Sequence, residues 1–204
     1  MMAVNIEDVK RLKALTGVGL TDAKAALEDA GGDYDQALEA MRKKGMTKAE
    51  KRGEREARSG LISTYDHDGR IGVLVEVNCE TDFVARNEIF TDLVKDLCMH
   101  IAASAPEFLD MEAIPEDVKE EKKQEFAEKA KSEASTGQRT EDMIDKITDG
   151  MLKKHFAERC LMEQSFVKDP DKTVGKFVKE HIARLGENIV VRRFSRFELG
   201  ETGE

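Results

Sequence analysis

At 204 residues the chain is long enough to bury a core, suits one moderate domain joined to a smaller one, and is short for a single large enzyme barrel. Its 33 basic and 42 acidic side chains leave a net charge of -9, which excludes a global attraction to nucleic acid or to an anionic membrane; any such binding would have to be local. The opening MMAVNIEDVK lacks a basic region followed by an apolar run, and no segment approaches the roughly 18 apolar residues of a membrane span, so a soluble, unsecreted, cytoplasmic protein is expected. Cys79, Cys98 and Cys160 are odd in number and far apart. They offer neither a disulfide framework nor a CxxC site, and each is expected as a small buried hydrophobe.

Ile6, Val9, Leu12 and Leu15 recur every three residues, the stripe of a short amphipathic helix that Gly17 would end. Thr21 is placed to cap a second helix carrying Ala23, Ala26, Leu27 and Ala30, closed by Gly31-Gly32. Asp33 with Gln36 three later resembles a capping box opening a third helix with Ala37, Leu38 and Met41. Three short helices make a bundle near the lower size limit for independent folding, residues 1–46, expected to serve as a docking module. Residues 47–58 read as a partly helical linker. Between Arg42 and Arg58 eight basic residues face three acidic ones, which suits either a solvated segment or a contact with phosphate or an acidic partner.

Beyond Gly60 the period changes from helical to two. LISTY and IGVLVEVNC read as antiparallel strands joined at Asp68-Gly69, with Ile71, Val73, Val75, Val77 and Cys79 on one face. A polar turn, NCETDFVARNE, follows. Phe90, Leu93, Val94, Leu97, Cys98 and Ile101 then keep helical spacing until Pro106, in a helix expected to cover one face of the sheet. Residues 116–157 suggest a charged helical hairpin joined through SEASTGQRT. The sheet is expected to resume with CLMEQSFV. A helix carrying Val174, Phe177, Val178, Ile182 and Leu185 should follow Asp169-Pro170 and end at Gly186, before ENIVVRRFSRFEL supplies the last strand. Helices beside an antiparallel sheet over residues 59–204 make the fold class α+β.

Motifs for bond chemistry are lacking. Gly17-Val18-Gly19 does not complete a GxGxxG or a P-loop and lies between helices rather than after a strand, so direct nucleotide binding is not expected. Neither cofactor nor metal is indicated: HExxH, EF-hand and triad signatures are all missing. Cys79 could act as a nucleophile only with a base, and His67, His100, His155 and His181 all lie elsewhere in the sequence. VVRRFSRF interleaves Arg192, Arg193 and Arg196 with Phe194 and Phe197, as a base-stacking sheet can, but reads better as a core strand with a charged outer face. Nucleic acid is thus not the expected partner.

TGVGLTDAKAALEDAGGDYDQALEAMRKKG resembles the ubiquitin-associated-like N-terminal module of the elongation factor Ts family, and NCETDFVARNE resembles that family's core motif. MEQSFV and KTVGKFVKEHIARLGENIVVRRFSRFELGE extend the resemblance to the C-terminus. The resemblance implies guanine nucleotide exchange on elongation factor Tu, a binding function rather than an enzymatic one. It also implies a role for Phe83: with Asp82 it would press against the GTPase domain and disturb the magnesium and phosphate side of the nucleotide site. Thr81, Val84, Ala85, Arg86 and Asn87 would set the turn and add rim contacts. Near Val18, the family's usual methionine pair is replaced by Leu20 and Thr21, which would meet a helix of the partner. One core subdomain in place of two implies a homodimer, with Val190 and Phe194 as candidate interface positions, and His67 and His100 as candidates for contact with the partner's third domain. An adaptor binding ubiquitin or RNA, and an enzyme centred on Cys79, remain as alternatives.

Overall fold

The computed structural model describes residues 4–16, 18–132 and 141–201, with side chains described throughout these except at Ala14, Arg42 and 45–51. The expected helix stop at Gly17 and nearly all of the SEASTGQRT connection lie outside the described residues. The described chain divides into two compact units, one running to Ala102 and resuming at Lys176, the other Ala103–Gly175.

In the first unit, α1 (Ile6–Thr16), α2 (Leu20–Asp29) and α3 (Tyr34–Arg52) enclose a small core of Val9, Leu12, Ala23, Ala26, Leu27, Ala37 and Met41. Ile6 and Leu15, expected in that core, are exposed. A stride of three falls short of a helical turn by about 60°, so four such positions walk around half the cylinder and only the middle two can face inward. Asp33 caps α3 as expected, its Oδ1 accepting from the Gln36 N–H at 3.0 Å. Thr21 does not cap α2. The helix begins two residues earlier than expected, with extended Gly19 at its N-cap and no side-chain cap, which leaves Thr21 inside the first turn. α3 continues through the start of the basic segment to Arg52.

β1 (Ser59–His67), β2 (Ile71–Cys79) and β5 (Ile189–Glu198) form an antiparallel sheet with β2 in the middle. The hairpin signal is borne out. Asp68 and Gly69 both take positive φ, 54° and 66°, and the His67 carbonyl accepts from the Arg70 N–H at 3.0 Å. At Gly60, φ is 145° and a Cβ would stand 2.2 Å from the Val77 carbonyl oxygen, so no other residue fits there without moving the strand pair.

One face of the sheet is covered by α5 (Glu88–Ser104), which buries Phe90, Leu93, Val94, Leu97, Cys98, His100 and Ile101. Each of its large apolar side chains contributes roughly 1.5–3 kcal/mol on leaving water. The register of β5 against β2 shifts between Glu76 and Val77, leaving Arg192 as an extra residue. That bulge inverts the alternation. Val191 and Phe194, opposite Val77 and Val75, share the covered face, whereas Val190, opposite Asn78, lies on the open one. Val190 and Phe194 therefore cannot line one interface. Arg196 also falls on the covered side, 11% exposed, where its guanidinium pairs with Glu198 and Glu201 and donates to the Ala102 carbonyl.

The second unit holds α6 (Glu116–Ser132) and α7 (Glu141–Ala157), packed together as the expected hairpin over Ile114, Phe156 and Cys160, with Phe108, Met111, Val118 and Leu152 around them. CLMEQSFV does not rejoin the main sheet. Leu161 and Met162 donate backbone hydrogen bonds to Phe108 and Leu109, and only Ser165–Phe166 (β3) is extended, pairing with β4 (Asp169–Thr173) in a separate two-stranded sheet. Adjacent Cys160 and Leu161 are both buried, so this stretch never had the one-in, one-out pattern of a half-covered strand. α8 (Val174–Leu185) follows, and Gly186, at φ 81°, donates its N–H to the Ile182 carbonyl to end it.

Candidate functional site

The NCETDFVARNE segment leaves the end of β2 and forms a single helical turn, α4 (Asp82–Ala85). Four residues cannot hold a helix by themselves, because nucleation outweighs the few bonds gained. The geometry comes from both flanks. Thr81 is the N-cap, its hydroxyl oxygen accepting from the Val84 N–H at 3.4 Å, and Ala85 is buried with its N–H on the Thr81 carbonyl. Asn87 then caps α5, its Oδ1 accepting from the Ile89 N–H at 2.9 Å. Between these fixed points Phe83 is 91% exposed, the most exposed large apolar side chain described. Asp82 and Arg86 are exposed beside it and Val84 is half-buried. A ring with two rotatable bonds, held on a braced turn and covered by little of its own chain, has the form of an interface anchor.

Ala85 differs from the expected rim contact: it faces the core, and its part is to seat the turn. The other candidates lie in separate places. In the three-helix bundle, Val18 is half-buried against the small core, while Leu20 and Thr21 at the start of α2 are exposed. Leu15, also exposed, was assigned to the core by its spacing. His67 stands exposed at the hairpin turn, stacked on Tyr65 with its Nδ1 3.1 Å from the phenol oxygen. His100 is fully buried within α5, on the apolar stripe, and so offers no surface to a partner.

Cys79 is fully buried, and burial, followed by the Glu187 carboxylate and, more weakly, Asp82 and Glu80, pushes its thiol up to about 11. A thiol in that state carries almost no thiolate at neutral pH and is a poor nucleophile. Among the described residues no group of three or more His, Cys, Asp or Glu side chains could hold a metal ion, and no helix is long and apolar enough to cross a membrane.

The family model described as Elongation factor TS matches residues 6–201. The chain belongs to the elongation factor Ts family. Similar proteins include Elongation factor Ts of Geobacter sulfurreducens, 49% identical over 98% of this chain and 91% of the relative, and that of Thermodesulfovibrio yellowstonii, 45% identical over 98% of both. Elongation factor Ts of Caldanaerobacter subterraneus is 46% identical over 97% of this chain and 98% of its own. Membership makes the chain a factor of protein biosynthesis in translation elongation.

Sequence reasoning missed the residues beneath the elongation factor Ts turn. Glu187 and Asn188, in the connection from α8 to β5, hydrogen-bond to Glu80 and Thr81, more than a hundred positions away. The available signal was a carboxylate and an amide immediately after a helix-ending glycine and before a buried strand, where apolar residues would ordinarily begin.

Proposed function

We propose that this chain is a guanine nucleotide exchange factor that binds elongation factor Tu in its GDP-bound and nucleotide-free forms and promotes GDP release and GTP loading. The observation that carries the reading is Phe83, 91% exposed on a turn fixed at both ends. With Asp82 it enters the GTPase domain and disturbs the magnesium and phosphate side of the nucleotide site. Exchange of this kind needs no bond chemistry. A factor that binds the nucleotide-free partner more tightly than the GDP form weakens GDP by the same ratio.

Residues 1–46 act as a docking module, presenting Leu20 and Thr21 to a helix of the partner, and His67 adds a contact from the hairpin turn. The chain works in the cytoplasm as a homodimer. The open face of the sheet supports the dimer: Ile62, Leu74 and Phe197 are exposed there around a Glu76–Arg193 ion pair at 2.8 Å. Apolar positions mixed with both charge signs suit a two-fold contact, in which the same patch meets itself. Light scattering should return twice the mass of one 22.8 kDa chain, and Phe197→Asp should return one. A monomeric wild type would end the dimer reading.

The function itself is tested by release of fluorescent GDP from elongation factor Tu, at fixed magnesium, with catalytic amounts of the protein. Phe83→Ala should cost about 2 kcal/mol, roughly thirtyfold in exchange efficiency, as anchors at interface centres do. Stimulation by wild type and variant alike would leave exchange in place but remove the wedge. No stimulation by either would return the chain to the adaptor reading.

A further inference from the structure

We infer that Glu187 is a positioning residue for nucleotide exchange, holding the Thr81 turn so that Phe83 stands in one orientation; the inference rests on the exchange reading above. The Glu187 carboxylate accepts three hydrogen bonds from two consecutive residues. Oε2 takes the N–H groups of Glu80 and Thr81 at 3.1 and 3.0 Å, and Oε1 takes the Thr81 hydroxyl at 2.6 Å. Donating to Glu187 orients that hydroxyl, so a lone pair faces the Val84 N–H and caps the turn carrying Phe83. Hydrogen bonds to an ionised carboxylate are roughly twice as strong as neutral ones, and here the three come from the two residues preceding α4, two of them from its N-cap Thr81.

The clasp is reciprocal. Glu80 Oε1 accepts from the Asn188 N–H at 2.7 Å, so each carboxylate holds the backbone of the other's segment. Asn188, almost fully buried, reaches further: its Nδ2 donates to the carbonyls of Arg55 at 2.7 Å and Gly53 at 3.3 Å. Arg55 in turn places its guanidinium 3.6 Å from Glu80 Oε1. The chain emerging from α3 is thereby tied to the same four residues that set the wedge. The sheet does not need this clasp for its pairing, since β2 and β5 already form a ladder whose last pair is Cys79 and Ile189. What the clasp adds lies beyond that pair, under Phe83.

The test is a double-mutant cycle in the fluorescent GDP release assay on the full-length protein, with Glu187→Ala, Phe83→Ala and the two combined. Glu187→Ala should lower exchange efficiency roughly tenfold. In the Phe83→Ala background the same change should cost less than about twofold, because its effect passes through the ring. Glu187→Gln keeps an acceptor for the two N–H groups and a donor for the Thr81 oxygen, and should recover most of the loss. If Glu187→Ala folds poorly, Thr81→Val removes the same hydroxyl link with shape retained, and should show the same dependence on Phe83. Unchanged exchange by the Glu187 or Thr81 variants, or an equal loss with and without Phe83, would overturn the positioning role and leave the wedge standing. Full exchange by Phe83→Ala would overturn the wedge, and the positioning role with it.

Discussion

The four-residue α4 and the paired 17-residue helices α6 and α7 are stabilised by opposite means. The short helix hangs on its N-cap Thr81, which is bonded to Glu187 more than a hundred positions away, and its one buried side chain, Ala85, seats it on the core. The long helices pack on each other over the Ile114, Phe156 and Cys160 cluster, and α6 adds local ion pairs, Glu116–Lys119 and Lys122–Glu125, three apart on exposed surface, while burying only Ala130 fully. Such pairs are worth little individually. Length thus says little about rigidity in this molecule; a turn is rigid when its donors and acceptors are claimed by distant parts of the chain, because moving it then breaks tertiary bonds. A surface that must push on a partner is best built that way.

The largest expected effect comes from removing the support of that turn. Phe90 is fully buried in the first turn of α5, and its backbone N–H bonds to the Asn87 carbonyl that closes the α4 segment. Phe90→Ala should cost about 3–5 kcal/mol by lost burial and the cavity left behind. Chemical denaturation should register that loss, and exchange should fall with it although Phe90 touches no partner. Phe83→Ala, seven residues earlier, should leave the denaturation midpoint within about 0.5 kcal/mol of wild type, since the ring is already in water. An equal loss of stability in both would mean that Phe83 is part of the platform and not the load it carries.

Much of the platform was legible in the sequence, and the failures have physical causes. The α5 stripe, the Asp68-Gly69 turn, the Asp33 cap and the Gly186 stop are local signals, complete within a few residues, and each recurs in the structure. The bulge at Arg192 is not local: it exists only against β2, and it moved Phe194 to the covered face. CLMEQSFV misled because apolar content was read as a strand, whereas its backbone is satisfied by residues 108–109. At the candidate site Phe83 was legible as an aromatic in a polar turn, whereas its exposure was not, because the residue pattern fits a ring folded back on its own core equally well. Glu187 was not, because a carboxylate looks solvated until its three donors are brought to it from the far end of another strand.

The smallest effect sharpens the comparison from the hairpin side. His155 on α7 lies between the rings of Phe126 and Phe156, at 5.3 and 5.1 Å between centroids, and its Nδ1 is 3.1 Å from Arg159 Nη1. An arginine can only donate, so that nitrogen accepts and the imidazole is neutral. Burial, then Arg159 and Lys122, push its pKa below the ordinary value of 6.5, while Glu107 and Glu125 pull weakly the other way. The unfolded chain therefore binds the proton more readily than the folded one. Stability from this site is complete above about pH 6.5 and is lost as pH falls through the folded value. Wild type should lose more in melting temperature between pH 7.5 and 5.5 than His155→Gln does, by about 1–3 °C. An identical acid loss in both would show that the charge is accommodated where it stands. The 78–88 turn contains no histidine, so this increment should appear in the hairpin's amide signals and leave those of Thr81–Asn87 unmoved. A shift at Thr81 that followed His155 would join the two regions and end the contrast between them.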